Sequence, residues 1–406
     1  MPGMHRDPRK AGRTGFIALL GLTLCTVCTS VAQPQIPPPA SKTPTRTAPA
    51  LIPRTRDQRE QRYQSQHRIV LKALVTDTSG QPVLDLKEHD VTLLDNGRPQ
   101  TLTSFQAVQN STAARPSRVI LLIDTLNNSG GSIEQDRLQV QKYLRESPPV
   151  LSNSTAIAIL TGSGTTIEPA SRDRETLLQQ VRQVKERLHP VICQNDPDAN
   201  RSFLNVWMPN APATLRSTQV LACLNERFER SVSALQKFAA QQESIPGRVL
   251  LIWLGPGWPL LNEHEFTPDN ATTRETFFHY LVELSTTLRE SQVTLDAISS
   301  PDTMRKNETR NDHDNAFLDG VPSEDDTTAG SLGLEALAHQ SGGLLLSSSK
   351  DIAAEISQAI AAESVYYVLS FDSPPAATPA EFHAIRVTIG KPGIKIRTNT
   401  LYYNQP

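Results

Sequence analysis

Val119-Ile120-Leu121-Leu122-Ile123 is an unbroken apolar run that ends in Asp124. A strand without a polar face must be covered on both sides, as in a parallel sheet layered between helices. Further strands are read at Ala156–Leu160, Arg248–Leu254, Val293–Ser299, Gly343–Ser347 and Tyr366–Phe371, with Val293, Leu295 and Ala297 on one face of their strand and Thr294, Asp296 and Ile298 on the other. Helix-length stretches at about 134–146, 173–188, 223–242, 271–290, 331–340 and 350–363 separate or follow these runs. Six strands alternating with helices predict an α/β fold, a doubly wound and mostly parallel sheet in three layers, over 117–372. Two stretches break the rhythm. Residues 189–222, with Pro190, Pro197, Pro209 and Pro212, and the polar, acidic residues 300–328 read as insertions.

A different period precedes this region. Ile69, Leu71, Ala73 and Val75 alternate at strand spacing. Val91-Thr92-Leu93-Leu94 then runs into Asp95-Asn96-Gly97, a strong hairpin signal. The segment 67–109 therefore predicts a small β-sandwich-like module, too short to be very stable alone. At the other end, alternation over Phe382–Ile389 and a turn at Lys391-Pro392-Gly393 predict a β-hairpin extension over 381–406, added to a sheet edge or to the β module.

The first 66 residues read as export rather than structure. Arg6, Arg9, Lys10 and Arg13 precede an apolar stretch from Phe16 to Leu24, and Ser30-Val31-Ala32 supplies small residues for signal-peptide cleavage after Ala32. Residues 33–66 carry seven prolines between Pro34 and Pro53 and form an extended linker. No uncharged apolar run after this leader is long enough to span a bilayer. Loss of residues 1–32 removes Cys25 and Cys28 and leaves only Cys193 and Cys223. An even pair in an exported chain predicts a disulfide, which closes a loop of about 30 residues and stabilises it by roughly 3 kcal/mol; two buried thiols are the alternative. With 40 Lys and Arg against 42 Asp and Glu, bulk charge supplies no attraction for nucleic acid.

Chemistry in such a sheet is sought at the carboxyl ends of its strands. No dinucleotide fingerprint or phosphate-binding loop follows any strand. Ser341 has His339 where a nucleophile elbow needs glycine, and His264-Glu265 runs into Pro268 instead of completing a zinc-protease motif. Asp124, followed by Thr125-Leu126-Asn127-Asn128-Ser129, resembles the metal-ion-dependent adhesion site of von Willebrand factor type A (VWA) domains, which begins D-x-S-x-S. Leu126 and Asn128 replace the two serines, and the region of the family's distal aspartate offers Gly255-Pro256-Gly257. The resemblance implies a degenerate site, with Asp124 and Asn128 as candidate ligands of Mg²⁺ and Asn127 beside them, or a hydrogen-bonded Asp124 without metal.

The wider pattern resembles a secreted VWA-related family of the acidobacterial type. It comprises the leader, the Pro-rich linker, V-x-D-x-x-G-x-P-V from Val75 to Val83, and a run to Asp95-Asn96-Gly97. It also includes Asp124-x-Leu126-Asn127, F-H-x-I-x-V from Phe382 to Val387 and the final Leu401-Tyr402-Tyr403. It implies an exported, periplasmic or extracellular, non-enzymatic protein-interaction module of the cell envelope with an unidentified protein partner. Trp207 and Trp258 are candidate contact aromatics, or else pack locally. The competing expectation is an exported hydrolase whose site gathers Asp124, His264, His313 and His339 with Asp312, Asp314, Asp325 and Asp326 from distant segments.

Overall fold

The computed structural model describes residues 68–109, 118–190, 213–245, 247–258, 271–298, 318–327, 329–346, 351–363 and 365–404. All belong to one compact unit, Thr55–Pro406, while the other, Met1–Arg54, lies outside the described residues. The expected signal peptide and linker fall outside them, as do Cys193, Trp207 and most of both expected insertions.

The chain enters through β1 (Arg68–Thr76), β2 (Val91–Asp95), β3 (Arg98–Gln100) and β4 (Ser104–Gln109). Asp95 pairs with Arg98 across a two-residue loop, and Asn96 and Gly97 have φ of 47° and 75°. Both central residues thus take the left-handed conformation that a tight hairpin between twisted strands requires.

The central region alternates as its apolar runs predict: β5 (Arg118–Asp124), α1 (Gly130–Glu146), β6 (Val150–Thr161), β7 (Gly164–Ile167), β8 (Ser171–Asp173) and α2 (Arg174–Gln183). Then follow α3 (Ala213–Glu243), β9 (Val249–Leu254), α4 (Ala271–Glu290), β10 (Val293–Ile298), α5 (Leu334–Gln340), β11 (Leu345–Leu346) and α6 (Ile352–Ala362). The strands form one sheet in the order β11-β10-β9-β5-β6-β7, with β8 also on β6. Pairing is parallel from β11 to β6 and antiparallel for β7 and β8. Side chains of α1, α2 and α6 pack one face, around Ile133, Val140, Leu177 and Ile356. Those of α3, α4 and α5 pack the other, around Phe238, Leu281 and Leu337. The doubly wound, mostly parallel α/β sheet is therefore present. Helix α3 starts ten residues before the predicted 223, within the stretch read as an insertion.

The last segment departs from expectation. β12 (Val365–Asp372) was predicted to close the parallel sheet, yet it lies antiparallel between β1 and β4. β13 (Glu381–Ile389), β14 (Lys395–Arg397) and β15 (Leu401–Asn404) follow. The sheets β14-β1-β12-β4 and β15-β13-β2-β3 enclose a core that includes Leu71, Leu93, Tyr367, Phe371, Val387 and Tyr402. The sandwich is thus built from both ends of the folded region rather than preceding the α/β domain. β12 reads like a buried parallel strand because both faces are covered. Tyr367, Leu369 and Phe371 point into the sandwich, while Tyr366 is buried under Arg248, whose guanidinium lies 5.1 Å from the ring centre. Nor does the turn at 391–393 close a ladder: β13 pairs with β2 and β15, and β14 pairs with β1 in the other sheet.

Candidate functional site at the strand ends

β5 carries Asp124 as its last residue, where the central strands converge under the start of α1. Its carboxylate is completely buried. Oδ1 accepts from the backbone N–H groups of Leu126 and Asn127, each at 3.0 Å. Oδ2 accepts from Asn127 Nδ2 at 2.9 Å and from the indole Nε1 of Trp253 on β9 at 3.1 Å. A carboxylate presents about four lone-pair positions, and here four protein N–H donors occupy them. Burial pushes the Asp124 acid upward from its usual range, and the bonds from Asn127, Trp253 and Leu126 oppose that rise.

Asn128 turns the same way. Its Nδ2 donates to Asp136 Oδ2 at 2.9 Å, and its Oδ1 accepts from the Ser129 backbone at 3.0 Å. Ser129 in turn caps α1 by accepting from Ser132 N at 3.4 Å. Asp136, on the second turn of α1, is buried and pushed up to about 7 by desolvation first and by the charge of Asp124 second. The loop that resembles an adhesion site therefore spends its Asp124 and Asn128 oxygens on N–H groups of the protein and its Asn128 amide nitrogen on a second buried acid. This donor set does not fit a resident Mg²⁺, because the Asp124 lone pairs that would ligate it already accept hydrogen bonds. Among the described residues no group of three or more His, Cys, Asp or Glu is placed to hold a metal.

Gly255 follows β9 with φ of +138°, and a Cβ built there would lie 2.9 Å from the Asp124 Cβ. A side chain at Gly255 would therefore collide with Asp124 itself. Gly255→Ala is expected to lose about 2–3 kcal/mol through backbone strain and this contact. Gly131→Ala, in the first turn of α1 with open space around it, is expected to be neutral or slightly stabilising. Urea unfolding of both variants checks the contrast.

No protein-family model and no curated protein matches this chain. Among solved structures it is similar to the human COPII-coat protein Sec24c, with TM-score 0.33, 7% identity, and coverage of 73% of this chain and 45% of that one. It is also similar to proximal thread matrix protein 1 from the mussel byssus, with TM-score 0.30, 12% identity and coverage of 65% and 49%. A third is the three N-terminal domains of the type V pili tip protein Mfa5 from Porphyromonas gingivalis, with TM-score 0.27, 9% identity and coverage of 83% and 67%. The chain spans less than half the length of the first two.

Trp258 is not a surface aromatic. It is buried, donates from its indole to Leu332 O at 2.8 Å, and stacks edge-on against Trp253 with centroids 5.6 Å apart. Its place four positions beyond a fully buried strand is the cue for this packing role. Asn127 is tied inward too, donating from Nδ2 to Ser231 Oγ on α3 at 3.0 Å as well as to Asp124. Cys223 on α3 is buried and disulfide-bonded; Cys193 lies outside the described residues. Of the dispersed hydrolase residues, His264, His313, Asp312 and Asp314 also lie outside them. Asp325 and Asp326 sit in an exposed 3-10 turn, and Asp325 faces Arg274 at 3.4 Å.

The motifs of the resemblance around Asp77, Asp95 and Phe382–Tyr403 lie in the sandwich instead. Asp95 Oδ1 is 2.7 Å from His383 Nδ1, and Asp95 Oδ2 accepts from the Tyr402 hydroxyl at 2.8 Å. His383 stacks on Tyr402 with centroids 4.6 Å apart. Asn96 clasps the same strand, accepting from Ala384 N at 2.8 Å and donating to Phe382 O at 3.1 Å. Asp77 Oδ1 accepts from Ser79 N and Gln81 N at 2.8 and 2.9 Å to shape the first turn. These motifs hold the two ends of the chain in one sandwich, so their sequence signal was for assembly rather than for chemistry.

Proposed function

We propose that this chain is an exported, VWA-like protein-interaction module of the cell envelope that acts without a resident metal and without catalysing a reaction. The observation that carries the reading is the strand-end Asp124, placed by topology where chemistry is sought, held by four protein N–H donors. Its role is to lock the loop before α1 to β9 and α3.

The length of α3 supports a binding role. Ser231 on α3 bonds to Asn127 at the strand ends, yet the helix begins at Ala213. At 1.5 Å per residue, the part from Ala213 to Ser231 is about 27 Å long, and within it Phe228 packs into the core and Cys223 is buried. Cys223, within that part, is held by a disulfide. The part of α3 before Ser231 and the carboxyl ends of β9 and β10 share one end of the domain. A protein partner is the class of ligand that so broad a face suits. Among the described residues no helix is long and apolar enough to cross a membrane.

Calorimetric titration of Mg²⁺, Mn²⁺ and Ca²⁺ into the metal-stripped chain and its Asp124→Ala variant is expected to give no saturable heat in either. Saturable binding lost in Asp124→Ala would overturn the metal-free reading. Esterase, protease or glycosidase turnover lost in the same variant would overturn the non-enzymatic one.

A further inference from the structure

A cavity of about 280 Å³ lies at the other end of the parallel sheet, under the last turn of α3. Arg118 and Asp124 are the first and last residues of β5, so the cavity is about 20 Å from the strand-end site. Small side chains open it: Ser154 and Ala156 on β6 stand where larger residues would fill the sheet face. Ile120, Ile167 and Ile245 supply its apolar walls, and Ile245 is largely exposed at the surface.

Its charged residues are unbalanced. Arg118 Nη2 donates to Gln242 Oε1 at 2.8 Å, a neutral partner, and its Nε is enclosed without an acceptor among the described residues. The acidic residue of the wall, Glu168, is already paired with Arg187. Burial lowers Arg118 from its ordinary value, with no acid acting against that shift. A guanidinium is a flat fork of donors matched to a carboxylate, and one bound only to an amide in an apolar setting lacks its best partner.

We propose that this cavity binds a small monocarboxylate, its acid on Arg118 and its hydrocarbon tail between Ile120, Ala156, Ile167 and Ile245. A water occupies about 30 Å³ in the liquid, so the space suits a tail-plus-acid of roughly eight to ten non-hydrogen atoms. The site is independent of the interaction face proposed above, which uses the opposite ends of the strands.

The test is calorimetric titration of the whole chain with sodium octanoate, octan-1-ol and octylammonium chloride. Octanoate is expected to bind saturably, and the alcohol and the amine roughly tenfold or more weakly, because neither pairs with the guanidinium. Arg118→Met should weaken octanoate by roughly tenfold or more at an unchanged melting temperature. Gln242→Glu, which gives the Arg118 guanidinium a carboxylate of the protein's own in place of its amide partner, should weaken octanoate and spare octan-1-ol. That variant decides the matter should Arg118→Met fail to fold. No saturable octanoate binding up to about 1 mM, equal affinity for acid and alcohol, or unchanged octanoate affinity in Gln242→Glu would each overturn the proposal.

Discussion

Replacing Asp136 by asparagine is expected to stabilise this protein at pH 8 and to leave it unchanged near pH 3. Asp136 holds its proton to about pH 7 in the folded chain, against an ordinary value of 3.8. The folded state therefore binds more protons than the unfolded one between those limits, so stability falls as pH rises through that window. Above pH 7 the buried carboxylate is ionised in both states and the native penalty is complete. At about 1.4 kcal/mol per pH unit, the stabilisation that protonated Asp136 preserves at acid pH, and that is lost by pH 8, amounts to roughly 4 kcal/mol. Asparagine keeps the shape, and its amide oxygen accepts from Asn128 Nδ2 as the carboxylate does. Urea unfolding of both proteins at pH 4, 6 and 8 should give curves that diverge as pH rises. Equal differences at all three values would assign the pH dependence to other groups.

Glu363→Gln is expected to act in the opposite direction, losing about 3–5 kcal/mol at pH 7. Glu363 ends α6, and its carboxylate meets the buried ammonium of Lys72 on β1. Around that pair the sandwich meets the α/β domain. Lys72 lies 5.4 Å from the ring centre of Tyr366, Arg248 covers the same ring, and Arg397 on β14 and Asp296 on β10 act on Lys72 by charge. Burial and the Arg248 charge already draw the Lys72 ammonium well below the ordinary lysine range. Without the Glu363 carboxylate, the folded chain would favour a neutral Lys72 while the unfolded chain keeps it charged. Stability of the variant should then recover as pH rises toward 10. A loss in Glu363→Gln that is small, or that does not shrink with pH, would show that this junction does not depend on the pair.

Some structure was legible because it is encoded locally. The runs of β5 and β9 are continuous and apolar, and their only stable setting is a sheet covered on both faces, so the α/β architecture followed from them. Asp95-Asn96-Gly97 specified its hairpin because two successive left-handed residues are chemically restrictive. β12 was misplaced for a physical reason: a sandwich strand pressed against a second domain is buried on both faces and shows the same pattern as a parallel core strand.

Asp124 shows the same division at the level of the site. Its position at the end of β5 could be read from the chain alone, since it closes an apolar run and precedes a capped helix. What its oxygens do depended on partners distant in sequence: Trp253 from β9, and Asn127 anchored by Ser231 of α3. Asp136 gave no signal, because an aspartate on a helix is ordinarily solvated and only the packing of α1 on β5 buries it. The sequence by itself determined which segments become strands, helices and turns, because those preferences are set by neighbouring residues. Only the tertiary structure decided which sheet claimed β12, which charges are buried together, and that the strand-end acid is satisfied by protein N–H groups, because hydrogen-bond partners and desolvation depend on contacts between residues far apart in the chain.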